Sequence, residues 1–289
     1  MPNHERVTST QGDTGSTADM VGRYYRNSPG YLDGSFKGTC HFGFTPEGQE
    51  FELGSALRAM EMRLGEALAL PPGSTVLDAG CGFGRVATTL NKEFGLKITG
   101  IDLLYERLTE AKRYTGNHGV SAEVNLLNGN YCTIPLPESS VDGIFTMETL
   151  VHADPLESAL NEFRRILKPG GHLALFEYTV PDRTTLDPLR KCITDIFVQR
   201  IAMASVERFT PGAFPGILQK AGFENIQVED ISRNVWPTWR WMFCTGIKWL
   251  PKMLKGQIIE DKTNWTAALL IWPYRHFLGY SVVTANKPS

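Results

Sequence analysis

The chain of 289 residues is 42% hydrophobic and 21% charged, which suits a globular protein that builds its core without metal or disulfide staples. Its 29 basic and 31 acidic residues leave a net charge of −2, which argues against a broad nucleic-acid-binding surface. No CxxC pair occurs, so reduced thiols are favoured over a disulfide framework or a zinc finger. The cysteines are Cys40, Cys81, Cys132, Cys192 and Cys244.

The N-terminal part of the sequence is polar and then aromatic. Residues 1–19, rich in Ser, Thr, Gly and Asp, predict a disordered tail without the apolar segment of a signal peptide. No stretch is apolar for long enough to span a bilayer, so we expect a cytoplasmic protein. Residues 20–70 predict an arm and a helix that cover a site, because apolar positions recur at helical spacing over residues 51–70.

From residue 74 onward, short apolar or β-branched runs alternate with helical stretches. Strands are predicted at residues 74–79, 96–101, 122–127, 141–147, 172–178, 224–230 and 277–284. Helices are predicted at residues 84–92, 105–116, 155–167, 187–203 and 211–221, with the Lys-Pro-Gly-Gly run at 168–171 as a stop signal. The alternation predicts an α/β core over residues 71–231, with a seven-stranded, mainly parallel sheet between two layers of helices.

All six tryptophans fall between the last two predicted strands, in an insertion over residues 232–276. One interpretation is a small helical subdomain whose core is built from Trp side chains. The others are an apolar lid over a lipophilic substrate, or a surface at a water–lipid boundary, where Trp is favoured. Residues 277–289 then return to the core as its final strand.

The segment from Val76 to Arg85 (VLDAGCGFGR) follows a strand and opens a helix, as a nucleotide-binding turn does. The third position of the dinucleotide fingerprint, counted from Gly80, is Arg85 and not glycine. Asp78, just before the loop, is unfavourable for a pyrophosphate but suits a cationic ligand. The loop residues Gly80, Cys81 and Gly82, with Asp78, therefore favour S-adenosylmethionine over NAD, since that molecule carries an ammonium and a sulfonium.

Two further segments complete the predicted cofactor site. Asp102 ends the second strand 20 positions after Gly82, where a carboxylate can bind the ribose hydroxyls, and Leu103 is included beside it. The alternative for Asp102 is a cap on the following helix. Asn130 and Tyr131 follow the third strand, where the adenine edge would lie, although the Asn-Gly pair before them also fits a plain turn.

These motifs resemble those of the class I S-adenosylmethionine-dependent methyltransferases. VLDAGCGFGR is similar to their first motif, Ile101-Asp102 to the second, and residues 166–171 to the segment before the fifth strand. The resemblance implies a Rossmann-like fold, S-adenosylmethionine as methyl donor and S-adenosylhomocysteine as product.

Within that group, the sequence is most similar to the sterol and isoprenoid C-methyltransferase branch. The residues that carry this similarity are Tyr24-Tyr25, Cys40-His41-Phe42-Gly43 and the run Met147–Ala153 (METLVHA). The resemblance implies C-methylation of an isoprenoid, prenylated or sterol-like molecule in secondary metabolism, through a carbocation that is then deprotonated. No DDxxD motif for a diphosphate is present.

Glu148 and His152 are the candidate bases, because they follow the fourth strand at the edge where α/β sites form. In a helix their i, i+4 spacing would put them on one face. The alternatives are a structural carboxylate or cofactor contact for Glu148, and a helix-cap or core position for His152. No third ligand accompanies them, so no metal is expected. His41 is a candidate for orienting the substrate or the donor carboxylate.

Aromatic residues of the arm predict a cap over donor and acceptor, since aromatic faces stabilise sulfonium ions and carbocations. The alternative is ordinary packing of the arm. The residues concerned are Tyr24, Tyr25, Tyr31, Phe36, Phe42 and Phe44, and Tyr24 is also assigned to the cofactor.

The expected partner is a lipophilic small molecule and not a nucleic acid, and peripheral membrane contact and self-association are left open. The alternative activity is N- or O-methylation of a small aromatic metabolite. A binding module without catalysis and a nicotinamide dehydrogenase are weaker alternatives.

Overall fold

The computed structural model describes residues 21–22, 39–192, 194, 203–255 and 268–289. The predicted tail over 1–19, most of the predicted helix over 187–203, Tyr24, Tyr25, Tyr31 and Phe36 lie outside the described residues. Part of the Trp-rich insertion, including Trp265, lies outside them as well.

Seven strands form one sheet in the order β3-β2-β1-β4-β5-β7-β6. They are β1 (Thr75–Ala79), β2 (Lys97–Asp102), β3 (Val124–Asn128), β4 (Val141–Met147), β5 (Leu167–Thr179), β6 (Glu224–Asp230) and β7 (Gly279–Asn286). β1 to β5 pair in parallel, while β7 runs antiparallel to both β5 and β6. The predicted fold class, a Rossmann-like sheet of seven mainly parallel strands, is confirmed.

Helices flank and connect the strands, and the described ones before the Trp-rich insertion lie within a few residues of their predicted bounds, whereas no bounds were predicted for the helix that opens the insertion. They are α1 (Leu53–Leu68), α2 (Arg85–Phe94), α3 (Tyr105–Asn117), α4 (Leu156–Ile166), α5 (Phe214–Lys220) and α6 (Ser232–Leu254). One prediction was incomplete. The Lys-Pro-Gly-Gly run does end α4, but it already belongs to β5, which pairs with β4 through a register shift near Val141.

Each face of the sheet carries its own apolar core. On one face, side chains of α1 and α2 pack with Val235, Trp239 and Met242 of α6. On the other face, α4 and α5 cover the sheet with residues such as Phe163 and Leu218. Trp239 is 1% exposed, so the first part of the Trp-rich insertion contributes to the main core. Among the described helices, none is long and apolar enough to cross a membrane.

The end of the N-terminal arm is held between α1 and α6, which brings His41 and Phe42 to the carboxyl edge of the sheet. The Phe44 N–H donates to Ala56 O at 2.9 Å, and the Gly43 N–H donates to Thr238 Oγ1 at 3.2 Å. Glycine is required at 43 because a Cβ there would lie 2.6 Å from the Ala56 Cβ. This close approach fixes the arm over the ends of the strands.

Candidate active site at the carboxyl edge of the sheet

One pocket opens where the loops after β1, β2, β3 and β4 meet the arm. Its empty volume is about 1090 Å³ when the open solvent at its mouth is included. The structure brings eleven predicted site residues to its wall. They are His41, Asp78, Gly80, Cys81, Gly82, Asp102, Leu103, Asn130, Tyr131, Glu148 and His152.

The loop after β1, called the glycine loop, makes a sharp turn in which two glycines adopt positive φ angles. Gly80 has φ +94° and Gly82 has φ +51°. A Cβ on Gly80 would lie 2.6 Å from the side chain of Thr149, whose hydroxyl donates to Ala79 O at 2.6 Å. The loop that follows β4 is therefore packed directly against the glycine loop.

Asp78 offers a buried carboxyl oxygen to a cation. It is 3% exposed, and among the described residues its Oδ2 has no hydrogen-bond partner. Burial, with a smaller contribution from the charge of Asp102, raises the pKa of Asp78 well above its usual value. An ammonium group in the pocket would supply the missing partner and favour the ionised form. The residues present therefore fit the amino-acid end of S-adenosylmethionine.

Asp102 lies at the end of β2, and its carboxylate contacts the loops that follow β1 and β2. Its Oδ2 accepts the Gly82 N–H at 2.8 Å and its Oδ1 accepts the Leu104 N–H at 2.9 Å. Each oxygen keeps a lone pair, so this orientation leaves room for two ribose hydroxyls. Asp102 is not the N-cap of α3, because that position is held by Leu104 and carries no side-chain cap. Its bond to the Leu104 N–H instead fixes the residue before the helix.

Asn130 and Tyr131 lie on the same wall, beyond Asp102. Asn130 Oδ1 accepts the Cys132 N–H at 2.8 Å, which is the turn expected for Asn. The Tyr131 hydroxyl donates to Thr149 O at 2.8 Å. Both residues thus shape the far end of the pocket, where the amide nitrogen of Asn130 is the remaining donor toward an adenine edge.

Glu148 occupies a strained position between β4 and the rest of its loop. Its φ is +58°, in the left-handed region that non-glycine residues rarely adopt. The carboxylate is 4% exposed, its Oε1 accepts the Phe42 N–H at 2.6 Å, and its Oε2 accepts the Tyr178 hydroxyl. Burial raises the pKa of Glu148, and those two hydrogen bonds oppose the shift.

The segment after Glu148 is not the α-helix that i, i+4 spacing would need. It is a 3₁₀ turn over Leu150–His152, and the left-handed Glu148 precedes it. Glu148 and His152 nevertheless both line the pocket, because the loop folds back on itself. They share a cavity and not a helix face.

His41 is buried near Glu148 and forms an ion pair with Glu61, a residue that sequence reasoning missed. Its Nε2 lies 3.4 Å from Glu61 Oε1, and its Nδ1 lies 2.9 Å from Phe42 O. Both ring nitrogens face acceptors, which requires the imidazolium. Burial lowers the pKa of His41, but the hydrogen bond and charge of Glu61 outweigh it and raise the pKa overall. Glu61 is on α1, and its pKa is lowered by the same pair against the effect of burial.

Glu177 of β5 was also missed by sequence reasoning. Its Oε1 accepts the Thr146 hydroxyl at 2.7 Å, the Leu150 N–H at 2.9 Å and the Thr149 N–H at 3.2 Å. Burial raises the pKa of Glu177 to about 8. The available signal was a single carboxylate in an otherwise apolar strand, residues 173–178 (LALFEY).

The predicted aromatic cap is not formed by the two members that the structure describes. Phe42 packs edge-on to Tyr178 and Trp239, with ring centroids 5.4 and 5.8 Å away, and Phe44 lies under Arg63. Neither ring lines the pocket, whereas Phe83 does. The prediction was wrong for these two rings, because Phe42 packs against Trp239 of α6 and Phe44 packs against Arg63 of α1. The alternative, ordinary packing of the arm, describes both. Among the described residues, no group of three His, Cys, Asp or Glu side chains is placed to hold a metal ion.

Comparison with known proteins identifies a family and several relatives. The family model described as a methyltransferase domain matches residues 77–175. The chain is 35% identical over 215 residues to an S-adenosyl-L-methionine-dependent Diels-Alderase of Talaromyces variabilis, covering 72% of this chain and 73% of that protein. It is 28% identical over 259 residues to a sterol 24-C-methyltransferase of Gibberella zeae, covering 88% and 67% of the two chains.

Among solved structures, the [4+2]-cyclase SpnF has the same fold. The TM-score is 0.76 at 22% sequence identity, over 95% of this chain and 97% of that one.

Proposed function

Because the chain belongs to the class I S-adenosylmethionine-dependent methyltransferases, we propose that it transfers the donor's methyl group to a carbon atom of an isoprenoid, prenylated or sterol-like molecule. The observation that carries the proposal is the Glu148 carboxylate. The carboxylate is buried and lines the pocket, and the Phe42 N–H and the Tyr178 hydroxyl both donate hydrogen bonds to it. We therefore assign it as the base beside the acceptor. Transfer to oxygen or nitrogen does not need a base shielded from water in this way.

The donor half of the pocket would hold S-adenosylmethionine through groups already oriented toward it. Asp78 Oδ2 takes the ammonium, Asp102 the ribose hydroxyls, and Asn130 with Tyr131 the adenine edge. When bound, the donor supplies an electrophilic methyl group on a sulfonium. The protein then mainly positions the acceptor and excludes water.

Glu148 completes the proposed reaction at the acceptor. The alkene π pair would form the new C–C bond while the bond between the methyl group and sulfur breaks, its electron pair staying on sulfur in the S-adenosylhomocysteine that leaves. A carbocation would remain on the neighbouring carbon of the acceptor. A Glu148 oxygen removes a proton from the next carbon, and that C–H electron pair becomes the new double bond. The Phe42 N–H and the Tyr178 hydroxyl hold the two oxygens in place, and the His41 imidazolium keeps the carboxylate ionised. His152, on the same wall, is the second candidate base.

The arm (residues 20–70) and the Trp-rich insertion (232–276) are proposed to close the acceptor side. Support comes from their mutual contact, since Thr238 on α6 holds the Gly43 backbone and Asn234 Nδ2 donates to Thr45 O at 3.0 Å. The similarity to a sterol 24-C-methyltransferase supports a lipophilic acceptor.

The test is incubation with S-adenosylmethionine carrying a carbon-13 methyl and a panel of isoprenoid, prenyl-indole, sterol and phenolic acceptors. Product NMR then reports the atom that received the methyl group. A methyl bound to carbon supports the proposal, and a methyl bound to oxygen or nitrogen contradicts it. Glu148→Gln is the matched variant, because it keeps the side-chain shape and removes the base.

A second candidate is a cycloaddition, which the 35% identity to a Diels-Alderase favours. In that reaction the donor would shape the pocket without being consumed. The two candidates differ in one measurement, because methyl transfer releases S-adenosylhomocysteine in proportion to product. A cyclised polyene of unchanged mass, with no S-adenosylhomocysteine released, would identify the cycloaddition.

A further inference from the structure

The loop that carries Glu148 is held by hydrogen bonds to a second buried carboxyl group, that of Glu177. Glu177 Oε1 receives three hydrogen bonds, and two of them come from Thr149 and Leu150, the residues directly after Glu148. The third comes from Thr146, two residues before it. One oxygen atom thus ties both sides of the left-handed residue to β5.

The two carboxyl groups differ in how their second oxygens are satisfied. In Glu148 both oxygens accept hydrogen bonds, as an anion requires. In Glu177 the Oε2 is buried and, among the described residues, has no partner. A buried, unsolvated carboxylate oxygen is far more costly than a buried hydroxyl. The proton of the pair therefore resides on Glu177, and the negative charge on Glu148.

We propose that Glu177 is a positioning residue that works as a neutral carboxylic acid, holding the loop so that Glu148 faces the acceptor as the only anion of the pair. Oε1 is then the carbonyl oxygen that accepts the three hydrogen bonds. Oε2 is the protonated oxygen, so no negative charge is buried there without a partner. The role of Glu148 as base rests on the proposed function, but the proton on Glu177 and its hold on the loop do not.

The surroundings of Glu177 explain why this division is stable. Burial, with a smaller contribution from the charge of Glu148, raises its pKa to about 8, against the hydrogen bonds from Leu150, Thr146 and Thr149. Tyr280 of β7 is a further titratable group that interacts with it, and its pKa is raised well above its usual value by burial and by both carboxyl groups. Pairs of groups whose environments separate their pKa values mark acid and base assignments.

The first experiment is an infrared pH titration of the full chain, which needs no acceptor. At neutral pH we expect a carbonyl band from a protonated carboxylic acid that is lost in Glu177→Gln and kept in Glu148→Gln. Asp142→Asn is the matched control, because Asp142 on β4 also accepts a backbone N–H, from Thr75, at the opposite end of the sheet. A band lost in Glu148→Gln and kept in Glu177→Gln, or no such band, would overturn the proposal.

The second experiment tests the hold on the loop by amide hydrogen exchange. Thr146→Val removes one of the three bonds, and Glu177→Leu removes all of them. Glu177→Gln keeps an acceptor oxygen. We expect exchange at Thr149 and Leu150 to rise about tenfold or more in Glu177→Leu and to stay near wild type in Glu177→Gln. If Glu177→Leu does not fold, Thr146→Val takes its place with a smaller rise, and unchanged exchange in the folded variant would contradict the proposal.

Turnover adds a readout that a merely structural role would not change. Wild-type kcat should fall as pH rises through about 8, where Glu177 ionises, and Glu177→Gln should lack that decline with KM for the donor unaltered. A decline kept in Glu177→Gln would overturn the positioning role. If the methyl group is found on oxygen or nitrogen, the proposed function fails, while the infrared and exchange results still decide the state of Glu177.

Discussion

The donor and acceptor halves of the pocket are built in different ways. The donor half comes from short, contiguous segments, namely the glycine loop at 78–84 and the strand end at Asp102, joined through the Gly82 N–H. The acceptor half is assembled from distant parts of the chain, because Glu148 is held by Phe42 and Tyr178, which lie 106 and 30 residues away in sequence. The donor half can therefore be predicted from sequence motifs, whereas the acceptor half depends on tertiary packing that the sequence pattern does not show.

The largest expected effect distinguishes the two halves directly. Glu148→Gln should lower turnover by roughly 10²–10⁴-fold, the usual contribution of a general base, because the amide cannot accept the proton. Donor affinity should stay within about threefold of wild type, since Glu148 is fixed by the arm and β5 and not by the glycine loop. Single-turnover kinetics with calorimetry of donor binding measures both quantities. Equal losses in both would show that the halves are not separable.

The contrast also explains what the sequence could predict. The seven strands, the glycine loop and Asp102 follow from local periodicity and spacing, and the sheet order brought them together as expected. Glu61 and Glu177 were missed because each lies in a regular element whose pattern is read as core. Their roles depend on partners, His41 and the Thr149–Leu150 backbone, that only the folded chain places beside them. Phe42 was assigned to the wrong surface for the same reason.

The next effect is on stability and comes from the acceptor half alone. The pKa of Glu177 is about 8 in the folded protein and 4.5 in an unperturbed chain, so the folded state binds the extra proton between these values. Stability from this group is complete below pH 4.5 and is lost as pH rises toward 8, at about 1.4 kcal/mol per pH unit. Glu177→Gln does not titrate and lacks this loss.

Denaturant unfolding of wild type and Glu177→Gln at several pH values between 4.5 and 8.5 checks this prediction. Glu177→Gln should have the lower free energy of unfolding at low pH, because its amide nitrogen is buried without an acceptor. This difference from wild type should shrink as pH rises. The stability of Asp142→Asn should depend on pH in a different way from that of Glu177→Gln. The pKa of Asp142 is lowered and not raised, because its partners, chiefly Lys168, outweigh burial. Parallel curves for wild type and Glu177→Gln would refute the assignment of the proton.

In the donor half, Asp102→Ala should weaken S-adenosylmethionine binding about 10- to 100-fold. The carboxylate is expected to bind two ribose hydroxyls, and hydrogen bonds to charged groups contribute about 1.5–3 kcal/mol. Glu110→Ala is the control, because Glu110 lies on the same helix as the Leu104 cap but pairs with Arg113 on the surface. Calorimetry that gives equal affinity for Asp102→Ala and the control would exclude the ribose assignment.

The smallest expected effect concerns the far end of the donor half. Asn130→Ala removes both the turn bond to the Cys132 N–H and the amide donor, and should weaken donor binding only about three- to tenfold. Asn130→Asp separates these contributions, since its carboxylate keeps the turn but cannot donate. Affinity near wild type in Asn130→Asp would mean that the adenine amino group donates to residue 130. A loss equal to that of Asn130→Ala would mean that the Asn130 amide donates to a ring nitrogen, while no loss in either variant would place adenine elsewhere. Each result fixes how far the donor half extends from Asp102, and so how much of the pocket remains for the acceptor beside Glu148.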